Sequence, residues 1–165
     1  MFRFKNESGA NNISSKTKNV KENINRYIPL MPSIITFHIE ACKNVEEALE
    51  LIDYIKENNI KPAISVKPET SLETIKKLLP KVHMVLIMTV EPGKGGQKLI
   101  PKTLEKAKQL RKYLDENNLS TFIEVDGGVN KNTIEDVKNA DVDIAVAGSA
   151  IISSKDFKQA IKELR

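Results

Sequence analysis

Residues 85–97 read VLIMTVEPGKGGQ: an apolar run that stops at Glu91 and Pro92 and is followed by Gly93, Gly95 and Gly96. An apolar run of this length bounded by turn residues predicts a strand buried on both faces. Its abrupt end in glycines, ahead of a helix-forming segment, predicts the phosphate-cradling half of a βα unit. Glycine suits that task because backbone N–H groups can close on an anion where no Cβ intervenes, and because positive φ costs it little. The theme recurs in IEVDGGV at 123–129 and in IAVAGSA at 144–150. Three glycine-bearing strand ends in one chain predict a single phosphate site assembled from several loops.

The remaining segments fit round these three. Apolar stretches at 34–39 and 63–66 read as further strands, and the strand before the first glycine loop reads as 82–90. Helices are predicted at 45–58, where Ala48, Leu49, Ile52 and Ile55 form one stripe, and from 70–71 to 79. Further helices are predicted at 101–117, opening on Pro101, at 132–139 and at 155–164. A short helix is expected at 23–31, stopped by Pro32. Residues 1–22 are polar and aperiodic and bury too little to offset their ordering entropy. They are expected to form a flexible N-terminal segment preceding a domain at 23–165. Five strand–helix pairs with near-continuous apolar strands call for a parallel sheet joined by right-handed crossovers. A doubly wound sheet and a (β/α)8 barrel both satisfy that pattern. Glycine loops at the C-terminal ends of the last strands favour the barrel. Only five of its eight strands are readable, so the expected fold is α/β, a partial TIM barrel of five parallel βα units.

Composition excludes several classes of function. The excess of 26 Lys and Arg over 22 Asp and Glu is spread along helices and forms no basic block interleaved with aromatics, so nucleic acid is not an expected partner. No apolar run approaches the roughly 20 residues that span a bilayer, and no apolar leader opens the chain, so the expectation is no membrane and a cytoplasmic location. The one cysteine, Cys42, cannot form an internal disulfide and is read as a small buried apolar residue.

ITFHIEA at 35–41, SVKPET at 65–70, MTVEPGKGGQ at 88–97, EVDGGV at 124–129 and AGSAI at 147–151 occur in an order and spacing that resemble the ribulose-phosphate 3-epimerase family. The resemblance runs from Tyr27 to Arg165. The long VEPGxGGQ string favours this family over hexulose-phosphate synthase, while allulose-phosphate epimerase stays open. The resemblance implies an isomerase of the pentose phosphate pathway that interconverts D-ribulose 5-phosphate and D-xylulose 5-phosphate on a TIM barrel. One carboxylate removes the C3 proton, a second returns one on the other face, and a divalent metal ion (Fe, Zn, Mn or Co) held by two His and two Asp stabilises the enediolate. It implies that Asp126 is a catalytic carboxylate and a metal ligand. It also implies that Gly93, Lys94, Gly95, Gly96, Gly127, Gly128, Gly148 and Ser149 hold the substrate and its phosphate.

The departures from the family pattern are as informative. The family's first three strands, which carry three of the four metal ligands and the second carboxylate, have no counterpart here. Lys94 stands where the family usually has an aromatic. His38 is expected to be a hydrogen-bonded interior histidine, His83 a surface one, and Met88 either core or part of the reacting face. Two functions therefore stay open: the family's epimerisation, or a truncated relative that binds sugar phosphate without turnover or completes its site with a second chain. Expected partners are a small sugar phosphate and either a homo-oligomer or a complementing chain.

Overall fold

A computed structural model of the 165-residue chain describes residues 10–13, 19–93 and 96–165. Six strands form one all-parallel sheet in the order of the chain: β1 (Ala10–Ile13), β2 (Ile34–His38), β3 (Lys61–Val66), β4 (Met84–Met88), β5 (Phe122–Asp126) and β6 (Ile144–Val146). Between them lie α1 (Val20–Tyr27), α2 (Val45–Glu57), α3 (Pro101–Glu116) and α4 (Ile134–Lys138), and α5 (Gly148–Ile152) and α6 (Phe157–Glu163) follow. Sequential strand order joined by crossovers of one hand places every helix on the same face of the sheet. A doubly wound sheet instead reverses its order at a switch point. The sheet is a partial (β/α)8 barrel and it does not close: among the described residues β1 and β6 each pair on one side only.

Alternation along the strands divides the core in two. Ile35, Phe37, Ile64, Val66, Val85, Ile87, Ile123 and Val125 join the large cluster with helix residues such as Ile52, Ile55, Leu104 and Leu110. The intervening positions form the concave side. There Ile34, Ala63 and Met84 make one small cluster, and Leu86, Met88 and Val90 make another nearer the strand ends. Both faces are buried, which is why β4 is apolar without alternation.

Helix termini follow the sequence closely. Asn44 caps α2 by accepting the Glu47 N–H at 2.9 Å, and the Glu47 carboxylate accepts the Lys43 N–H at 2.6 Å. The buried stripe of α2 is Ala48, Leu51, Ile52 and Ile55, with Leu49 only half-buried. Pro101 opens α3, whose Leu104, Ala107, Leu110 and Leu114 face the sheet.

Three expectations need correction. First, the polar segment before residue 23 contains β1 and the start of α1; its other residues, apart from Asn19, lie outside those described. ANNI has no strand-like composition, and its pairing is dictated by the free edge of β2, where Ala10–Ile13 runs in register with 34–37. Second, β2 is therefore not the unpaired edge expected of a five-strand sheet. Third, residues 70–79 do not form an α-helix. Ser71 caps only a 3-10 turn, Leu72–Thr74, and a second turn, Leu79–Lys81, contains Pro80. The apolar residues that suggested a helical stripe, Ile75, Leu78 and Leu79, are buried by the turns instead. Residues 148–152 also form a short helix ahead of the one expected at 155–164.

Candidate functional site

The C-terminal ends of β4, β5 and β6 lie side by side, with Met88 in register with Asp126 and Asp126 in register with Val146. Their loops surround a cavity of about 360 Å³ whose walls include Met88, Val90, Pro92, Asp126, Val146 and Ser149. Gly93, Gly96, Gly127, Gly128 and Gly148 also line it, so these glycines and Ser149 come together as one site. Lys94 and Gly95 lie outside the described residues.

Two of the glycines are there because nothing else fits. Gly128 has φ +68°, and a Cβ on it would overlap the backbone of Leu99; Gly127 has φ +124°, and a Cβ would overlap the Val90 side chain. The second loop thus packs flush against the first. Gly148 differs, since a Cβ there would enter open space. Packing therefore does not require glycine at that position.

Hydrogen bonds fix the loops to each other. The Thr89 N–H donates to the Asp126 carbonyl (2.9 Å), the Thr89 carbonyl accepts the Ile100 N–H (2.8 Å), and the Thr89 hydroxyl donates to the Gly127 carbonyl (2.5 Å). The Gln97 side-chain amide donates to the Glu91 carbonyl at 2.6 Å, closing the first glycine loop on itself. The Gly128 carbonyl accepts from Asn130 Nδ2 and from the Thr133 hydroxyl, each at 2.9 Å. Thr89 escaped the reading of the sequence. A polar residue at the tip of an otherwise apolar strand was the available signal.

Asp126 is half-buried, and burial pushes its carboxyl pKa above the ordinary aspartate value. A carboxyl shifted in that direction moves toward the pH range where it exchanges protons efficiently. Glu91 also lines the cavity, but it is exposed.

The ends of β2 and β3 form a separate network. Glu40 accepts the Lys67 N–H at 2.8 Å and the Thr70 hydroxyl, and its second oxygen lies 3.4 Å from His38 Nδ1. Burial opposes ionisation of Glu40, but these polar neighbours outweigh it and hold the carboxyl at about 2. His38 is buried and does not line the cavity; its Nδ1 touches Glu40 without a hydrogen bond of good geometry, unlike the satisfied histidine expected. The Lys106 ammonium donates to the carbonyls of Lys67 (3.0 Å), Pro68 (2.6 Å) and Thr70 (2.6 Å). The loop after β3 is clamped from both sides. His83 lies at the opposite end of the strands, edge-on to Phe122 at 5.1 Å.

A larger groove of about 530 Å³ lies on the outer surface between 68–79 and α3. It shares no lining residue with the cavity at the glycine loops. Its Lys106 is committed to three carbonyls and its Lys76 is paired with Glu73, so the smaller cavity is the better candidate.

A partial parallel barrel with its glycine loops and a half-buried carboxylate round one cavity at the C-terminal strand ends defines the class: a protein of the (β/α)8-barrel type. A family model for the ribulose-phosphate 3 epimerase family matches residues 15–152, and the chain belongs to that family. It is 43% identical over 133 residues to ribulose-phosphate 3-epimerase of Escherichia coli (strain K12), covering 81% of this chain and 58% of that protein. It is 43% identical over 139 residues to the protein of the same name from Helicobacter pylori (strain J99), covering 84% and 63%. The chain thus spans less than two thirds of the length of these relatives. Among solved structures, 3-hexulose-6-phosphate synthase superposes with a TM-score of 0.63 at 20% identity, over 92% of this chain and 70% of that one. KGPDC from Streptococcus mutans gives 0.59 at 16% identity, over 81% and 58%. At these identities the structural likeness establishes the fold.

Family membership suggests a divalent metal ion. Among the described residues, no three His, Cys, Asp or Glu side chains converge in a metal-binding group. Asp126 shares its cavity chiefly with glycines and apolar side chains. These residues do not make the donor set the resemblance implies.

Proposed function

We propose that the cavity binds a ketopentose 5-phosphate and that Asp126 transfers the proton at C3, the chemistry that interconverts D-ribulose 5-phosphate and D-xylulose 5-phosphate. The observation that carries this reading is the convergence of Asp126 with three glycine-bearing strand ends around one cavity. Backbone amides of residues 93–96, 127–128 and 148–149 hold the phosphate; those at 94 and 95 enter by resemblance alone. Asp126 then lies beside the sugar carbons. The C3–H is acidified by the neighbouring C2 carbonyl, so the carboxylate takes the proton and leaves an enediolate. Return of a proton on the same face exchanges hydrogen with solvent, and return on the opposite face epimerises.

A second reading is favoured by one observation: among the described residues Asp126 is the one half-buried carboxylate on the cavity wall, and Glu91 is exposed. In that reading the chain binds the sugar phosphate and exchanges the C3 hydrogen on one face, and epimerisation needs an acid on the other face from a complementing chain or a second copy. One experiment separates the two. The purified chain is incubated with D-ribulose 5-phosphate in D2O, with and without Mn2+ or Zn2+, and followed by NMR. Deuterium at C3 with xylulose 5-phosphate formed supports epimerisation, and deuterium without it supports the second reading. Absence of both exchange and binding sinks the two together.

A further inference from the structure

Thr89 is the first residue beyond β4 and has no exposed surface. Its hydroxyl donates to the carbonyl of Gly127, which lines the cavity. The described chain contains no cis peptide bond, and in a trans peptide the C=O and the following N–H point in opposite directions. Drawing the Gly127 carbonyl onto a fully buried hydroxyl therefore turns the Gly128 N–H away from Thr89, and Gly128 lines the cavity while Thr89 does not. The Gly128 carbonyl is likewise bonded away, to Asn130 and Thr133. Both carbonyls of the glycine pair are thus engaged by protein donors, which leaves the amides of that stretch of wall to suit an anion.

The arrangement needs a tether. Gly127 and Gly128 have φ of +124° and +68°, a region where glycine peptides rotate at little cost. Without a fixed acceptor–donor pair on one side, the Gly127–Gly128 peptide can flip and present its carbonyl to the ligand. We propose that Thr89 is a positioning residue whose hydroxyl locks this peptide so that the Gly128 amide donates to a phosphate monoester. This rests on the phosphate reading of the cavity given above. It adds a residue that does not line the site but fixes the orientation of one of the donors that do.

The test uses the full chain, inorganic phosphate as probe, and 1H–15N spectra. In the wild type, titration with phosphate should shift the Gly128 amide resonance strongly. Thr89→Val keeps the shape and removes the hydroxyl, and should weaken phosphate binding by about tenfold or more, the loss expected for one hydrogen bond to a charged acceptor. Thr89→Ser keeps the hydroxyl and should stay within about threefold of wild type, even if both variants lower the melting temperature. Equal phosphate affinity for wild type and Thr89→Val overturns the inference. So does a wild-type titration in which other loop amides respond and Gly128 does not, a result that stands even if Thr89→Val fails to fold. If no amide of the wild type responds at all, the phosphate reading falls as well, which separates the two failures.

Discussion

Replacing Gly128 by alanine should expose how tightly the two glycine loops are fitted together. At φ +68° an alanine carries the left-handed penalty of roughly 1–2 kcal/mol, offset by about 0.4–1 kcal/mol because alanine restricts the unfolded chain. The new Cβ also overlaps the Leu99 backbone, which must move and drag the start of α3 with it. Overpacking of this kind costs about 1–3 kcal/mol, so Gly128→Ala should lose roughly 1–5 kcal/mol, more than the same change without the clash. Gly96 supplies the control. Its φ is +72°, but a Cβ there meets nothing within 4 Å, so Gly96→Ala should lose only about 1 kcal/mol or less. Urea unfolding of the wild type and both variants, with equal m-values, measures the difference directly. If Gly128→Ala is no more destabilising than Gly96→Ala, the flush contact with Leu99 is wrong, and so is the geometry of the cavity wall.

Asp126→Asn should unfold at the same or a higher urea concentration, because it removes a half-buried charge, while C3 exchange in D2O falls by about 100-fold or more. A marked loss of stability would show that the carboxylate is structural. Glu40 gives the opposite sign. Its folded value of about 2 lies below the ordinary 4.5, so its stabilising contribution is complete above about pH 4.5 and is lost as pH falls toward 2. Glu40→Gln should flatten that part of an acid-unfolding curve, and an unchanged curve would refute the clamp. Lys106→Met should cost about 1–3 kcal/mol in urea unfolding, because the carbonyls of Lys67, Pro68 and Thr70 lose a common donor. Gly148→Ala should leave stability unchanged but weaken binding of inorganic phosphate, since its Cβ enters space otherwise open to a ligand.

The parts legible in the sequence were those encoded by short-range pattern. The β4 run with its glycines, Asp126 before its glycine pair, and the apolar stripes of α2 and α3 each announce themselves within a few residues. The observed strands β2 to β6 fall within a few residues of the apolar stretches that mark them. What stayed hidden depends on partners distant in the chain. Four residues of ANNI become a strand because β2 offers an open edge, a template that no local propensity reports. Residues 70–79 look helical by periodicity, yet Pro80 and the short return to β4 leave only turns. Thr89, Leu99, Glu40 and Lys106 act on backbone groups far along the chain, as in the 38-residue separation between Thr89 and Gly127. Their composition alone gave no hint of the groups they would hold.

The strictly sequential strand order has a consequence for biosynthesis. Each strand docks on the one made just before it, so the sheet can be laid down unit by unit as the polypeptide emerges from the ribosome. The tips that enclose Asp126 belong to the last three strands of the sheet in chain order. A nascent chain would therefore own most of its hydrophobic interior well before it owned a binding pocket. Ligand could reward completion of the molecule, but it could not guide the earlier steps.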